Sequence, residues 1–202
     1  MRNKFIRIIS RYIPEQSVPY CTNLWDRNRF TLKITRNRTS KLGDYRFIQP
    51  ENKHVVTVNG SLNRLAFLIT LIHEIAHMFI QIHHGRNVKP HGREWKMAFR
   101  DLMLPLLNPG VFPDDILRIL AKHMRNPKAS SQSDPDLAKV LHTYDIVLPE
   151  GWYLEDLIAG EQFYFKKRHY KKLKTNRTRA ICQDVNSGRK YLIAESVVVT
   201  KI

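Results

Sequence analysis

The run from Leu62 to about His84 is apolar and long enough to form one central helix, and the rest of the fold has to be arranged around it. Ser61 is in position to cap its start, and Gly85 to end it. In its middle stands His73-Glu74-Ile75-Ala76-His77. Residues four apart lie one above the other on a helix face, so both imidazoles can meet one metal ion. Neutral imidazole suits zinc, and a carboxylate beside the first ligand can take a proton from water that the zinc has acidified. HExxH on a helix therefore points to hydrolysis. Two imidazoles and a carboxylate among Leu68, Ile69, Leu71, Ile72 and Ile75 would be costly without a partner, and a metal is the simplest one.

A catalytic zinc takes three protein ligands and keeps one position open. His83, His84 and His91 are the near candidates for the third. His84 lies seven residues past His77, about 10 Å further along the axis. His83 is rotated off the face. His91 follows the Gly85 break, where the chain can fold back, and is the expected third ligand. His54, His123, His142 and His169 are isolated and read as ordinary histidines. An oxyanion-stabilising group is needed as well; Tyr45, Arg86 and His84 are the candidates.

Around the helix the pattern is α+β. Apolar residues from Asn3 to Ile13 fall on a helical stripe, broken by Arg7 and Arg11, so an amphipathic helix is expected there rather than a signal peptide. A second short helix should run from Pro14 toward Trp25. "RFTLKITRNR" alternates as a strand, "SKLGDYRFI" supplies a Gly-Asp turn and a returning strand, and "KHVVTVNG" gives a third. "HGREWKMAFRDLML" and "FPDDILRILAKHM" read as helices. Polar "RNPKASSQSDPD" reads as a connector, and a short helix should follow in "DLAKVLHTYD". From Gly160 strands return: "EQFYFKKRHYKKL", "RTRAICQDV", "RKYLIAE" and "SVVVTKI", with a turn at 186–188. The expected organisation is a domain over 1–125, a connector with a short helix over 126–159, and a basic β module over 160–202.

With 34 Lys and Arg against 18 acids, the chain carries a formal charge of +16. That favours polyanions, nucleic acid first. Lys166, Lys167, Arg168, Lys171, Lys172, Lys174, Arg177 and Arg179 form the densest cluster, interleaved with Phe163, Tyr164, Phe165, His169 and Tyr170. Bases contact phosphates and rings stack on unpaired nucleobases, although about half of these rings should face the core. A second patch could come from Arg27, Arg29, Lys33, Arg36, Arg38 and Lys41. The two cysteines, Cys21 and Cys182, cannot make a thiolate zinc site. No apolar run is expected to span a bilayer, so a cytoplasmic place is expected, nucleoid-associated if DNA is the partner.

"HEIAHMFIQIHHGRNVKPHGREW" resembles the SprT-like zinc metalloproteases: an HExxH helix, a short insertion, then His91-Gly92 and an aromatic residue at Trp95. "TRNRTSKLGDYRF" is similar to the family's strand-turn-strand segment, and the resemblance covers about residues 14 to 125. It implies a zincin-like α+β domain with a small antiparallel sheet, and one catalytic Zn²⁺ on His73, His77 and His91. It further implies Glu74 as general base and a protein or peptide substrate. For some members it implies action on proteins trapped on DNA, which would make single-stranded or damaged DNA a partner. The family's C-terminal zinc ribbon has paired cysteines, whereas the β module here has Cys182 alone and must hold itself by packing. No membrane partner is expected, and a monomer is the default. The alternative is a non-proteolytic nucleic-acid-binding protein with a structural or vestigial zinc site, against which the intact Glu74 argues.

Overall fold

A computed structural model of the chain describes residues 1–36, 41–85, 87–145 and 151–202. Arg38 and Arg86, named above, lie outside the described residues. The chain divides into two compact units, Met1–Asp145 and Ile146–Ile202.

In the first unit, α1 (Arg2–Ile9) and α2 (Val18–Asn28) precede a sheet of β1 (Thr31–Thr35), β2 (Gly43–Ile48) and β3 (Lys53–Asn59). Next come α3 (Arg64–His84), α4 (Arg93–Met103), α5 (Asp114–Met124) and α6 (Pro135–His142). α3 packs on β2, β3 and α4, and residues such as Phe67, Leu68, Leu71, Ile72 and Ile75 are fully buried. Its cap is Asn63, not Ser61: the Asn63 side chain accepts from the backbone N–H of Leu65 (3.1 Å) and Ala66 (2.9 Å). The Ser61 hydroxyl is bonded to Asn59 instead, two residues ahead of the cap position. Gly85 ends α3 at φ 61°, a conformation that favours glycine. By length and composition this 21-residue helix is apolar enough to cross a membrane, contrary to the expectation above; 67% of its most apolar window is buried inside the protein.

The sheet order is β1-β3-β2. β2 runs antiparallel to β3, with Tyr45 opposite Val56, whereas β1 runs parallel to it, with Thr31 opposite Val55. The sheet is thus mixed rather than antiparallel. The reason is that β3 lies between β1 and β2, which run in opposite directions, so it is parallel to one and antiparallel to the other. Gly43 and Asp44, expected in a turn, are the first residues of β2, which leaves β2 at the sheet's edge over α3.

The stretch expected to be a connector adds to this unit. Leu137 and Leu141 of α6 are buried with the core, and Asn63 Nδ2 donates to the Leu141 carbonyl (2.8 Å) and to Asp145 (2.7 Å). One apolar residue per turn over 137–141 suffices to dock so short a helix.

The second unit is a six-stranded sheet in the order β4-β9-β5-β6-β7-β8, from β4 (Trp152–Tyr153) and β5 (Gln162–Phe165) through β6 (Arg168–Asn176), β7 (Arg179–Asp184) and β8 (Lys190–Ala194) to β9 (Val198–Lys201). "EQFYFKKRHYKKL" is a hairpin, not one strand. Lys166 and Lys167 sit at its tip with φ of 50° and 64°, the two-residue geometry that suits a twisted antiparallel pair. Phe163, Tyr170, Ala180, Cys182, Ile193 and Val199 form the core. Lys172 lies among them, 3% exposed. Its Nζ donates to the Leu154 carbonyl (2.8 Å) and pairs with Glu195 (3.0 Å), whose other oxygen accepts from Thr175 (2.6 Å). Lys172 is therefore removed from the expected nucleic-acid surface: a buried ammonium needs this full set of partners, and they hold it inside.

Candidate metal centre

His73 and His77 project from one face of α3, one turn apart, and His91 returns to them from the turn before α4. Their Nε2 atoms stand 3.2 Å (His73–His77), 3.0 Å (His77–His91) and 3.2 Å (His73–His91) apart. Two nitrogens on a tetrahedral zinc at ~2.0–2.1 Å are about 3.3 Å apart, so the trio is spaced as three ligands of one ion. Among the described residues it is the cluster able to hold a metal. Burial pushes His73 down to about 2 and His77 to about 4, each lowered further by its histidine neighbours, and burial lowers His91 as well. At neutral pH all three are uncharged, the form in which imidazole binds a metal ion.

Local sequence makes the return possible. His91 adopts φ 57°, left-handed backbone that a side chain takes only at a cost of about 1–2 kcal/mol. Gly92 follows, with its N–H bonded to the Lys89 carbonyl (2.9 Å); a Cβ on Gly92 would lie 2.9 Å from that same oxygen. Trp95, fully buried, backs all three imidazoles, with ring centroids 4.6 Å from His73, 5.3 Å from His77 and 4.7 Å from His91. It stacks in turn on Phe99 (5.0 Å). The helix face behind the trio is thus solid aromatic packing, and the ligands open only to the other side.

That side is a cleft of about 430 Å³. One bank is β2 with its approach (Lys41 to Tyr45), the floor is Ile69, Thr70, His73, Glu74 and His77, and Ala129 to Gln132 line it as well. Glu74 is 7% exposed, under Gly43. A Cβ at Gly43 would fall 2.6 Å from Glu74 Oε1 and 2.8 Å from Thr70 Cγ2, so any side chain there would force Glu74 or Thr70 to shift. Gly43, Thr70 and the 129–132 segment are site residues that the sequence did not single out; a Gly-Asp pair signals a turn by default. Gly43→Ala should displace Glu74 while leaving the histidines in place. The expected result is at least a tenfold fall in turnover with metal content unchanged, read by kinetics and metal analysis on the same preparation; wild-type turnover would show that the contact does not matter.

His83 and His84 are exposed near the end of α3, apart from the trio, and line a separate groove with Glu94, Met97 and Asp101. Tyr45 lines the cleft, but its hydroxyl is bonded to His54 Nδ1 (2.7 Å), and burial pushes the phenol up. His123 and His142 pair with Asp134 and Asp145, each at 2.8 Å, and His169 packs on Tyr164. None of these four histidines joins the trio.

Residues 5–110 match the SprT-like family, just over half of the chain. The chain belongs to the SprT-like family. No curated protein and no solved structure gives a match. The match takes in the sheet, α3, α4 and all three histidines, so the SprT-like part is a metallopeptidase-like domain whose trio is compatible with a single metal ion. α5, α6 and the second unit lie beyond the matched SprT-like residues.

Proposed function

We propose that the chain is a zinc-dependent endopeptidase that works on proteins associated with DNA. The observation that carries the peptidase reading is the convergence of three neutral imidazole nitrogens within 3.2 Å of one another, with the Glu74 carboxylate in the same cleft floor. His73, His77 and His91 would hold the ion. Bound zinc supplies Lewis acidity, polarising a scissile carbonyl and acidifying water. Glu74 takes the proton from the attacking water and passes it to the leaving amine nitrogen as the C–N bond breaks. β2, at the sheet's edge, can align an extended peptide along the cleft by main-chain hydrogen bonds. Trp95 and Phe99 exclude water from behind the ligands.

The DNA part of the reading rests on charge and placement. Lys166, Lys167, Arg168, Lys171, Lys174, Arg177 and Arg179 are all exposed. Tyr164, 49% exposed, packs against His169 on the neighbouring strand, a ring offered beside bases on what we read as a metal-free counterpart of the family's ribbon. Replacing Lys171, Lys174, Arg177 and Arg179 with alanine should weaken single-stranded DNA binding and flatten its salt dependence by roughly 0.7 in log–log slope per lost phosphate contact. Titration at several salt concentrations reads this directly. An unchanged slope would move the binding surface to the first unit, around Arg27, Arg29, Lys33 and Arg36. No binding by the wild type would remove DNA and leave the peptidase.

A further inference from the structure

The cleft has a second bank that lies past residue 110, where the family match ends. It is the short 3₁₀ turn Ser131–Ser133 with its flanking residues, and it is held from behind. The Ser130 hydroxyl oxygen accepts from the Gln132 N–H (3.2 Å), and the Ser133 and Asp134 N–H groups close on Ser130 and Ser131 carbonyls (3.0 and 3.2 Å). Ser131 is buried, and Asp134 accepts from Nδ1 of His123, which is 4% exposed on α5. A charge-assisted contact of this kind fixes the turn to the body of the unit. Gln132 is left exposed and lining the cleft.

We propose that this turn is a second substrate-binding wall, and that the Gln132 carboxamide binds the main chain of a peptide lying between it and β2. The inference rests on the peptidase reading above. A carboxamide carries one acceptor and two donors, matching the C=O and N–H of a peptide unit. The wall offers no charge and no deep apolar recess: Ala129, Ser130 and Ser131 are small and neutral. It therefore has little with which to select a side chain, and much with which to hold a backbone. With the β2 edge opposite, an extended chain would be gripped from both sides, and cleavage would tolerate many sequences.

The test is steady-state kinetics of wild type and Gln132→Ala on two unrelated unstructured polypeptides, with zinc content and melting temperature measured alongside. Loss of the carboxamide's two hydrogen bonds should raise KM by about tenfold on both substrates, with kcat within about twofold and zinc and melting unchanged. An unchanged KM on both would overturn the wall. A rise on only one would make Gln132 a side-chain contact and overturn the main-chain assignment. If the wild type cleaves neither substrate, the peptidase reading itself falls and takes the wall with it; cleavage with an unaltered KM sinks the wall alone.

Discussion

Glu74→Gln is expected to lower peptide cleavage by roughly 10²–10⁴-fold, the range for loss of a general acid–base, while zinc stays bound. The substitution isolates chemistry from architecture. Glutamine has the shape of glutamate, so it fits the space under Gly43 that Glu74 now fills. The three imidazoles are untouched, and the histidine spacing does not depend on the carboxylate. What disappears is the one group in the cleft floor able to accept a proton from water and return it to an amine. The result is read as kcat on an unstructured protein, with the metal content of the same sample. Turnover within a factor of two of wild type would show that Glu74 is not the base.

His91→Ala is expected to weaken zinc binding by more than the roughly 10–100-fold that loss of an outer partner of a ligand costs, because a ligand itself is removed. His83→Ala and His84→Ala should leave zinc unchanged, since both line a separate groove and neither belongs to the trio. The backbone gives the assignment a second signature. His91 sits at φ 57°, and a residue held in left-handed backbone is expected to cost stability that function repays. His91→Gly should therefore make the metal-free protein more stable, by about 1 kcal/mol, while abolishing tight zinc binding. Zinc titration and thermal unfolding in chelator read the two effects separately. Full zinc affinity in His91→Ala, or a destabilised metal-free His91→Gly, would each contradict the account.

What was legible in the sequence is what helical periodicity and punctuation encode. α3 could be placed because its apolar residues recur from Leu65 to Ile82 with Gly85 placed to end the helix, and the spacing of His73 and His77 on it follows from helix geometry alone. His91 could be reached by elimination, since only a residue past the break can come back to the metal. Other features depend on contacts distant in sequence. Whether Ser61 or Asn63 caps α3 is decided by where β3 ends and by the Asn63 bonds to Leu141 and Asp145. The parallel pairing of β1 is set by which side of β3 each strand takes, and strand alternation is silent on that. Gly43 has the same identity in a turn as in a strand that crosses a carboxylate. Lys172 looks like every other lysine of its cluster until Leu154 and Glu195 close around it. The His123–Asp134 contact joins two elements, each unremarkable alone, and so the far bank of the cleft had no signature.

The most direct measurement is cleavage of an unstructured protein by chelator-stripped wild type as zinc is returned. No turnover is expected without metal, and turnover should rise to a plateau at one zinc per chain. Full activity in the stripped protein, or no activity at any zinc level despite one ion bound, would contradict the zinc-peptidase reading.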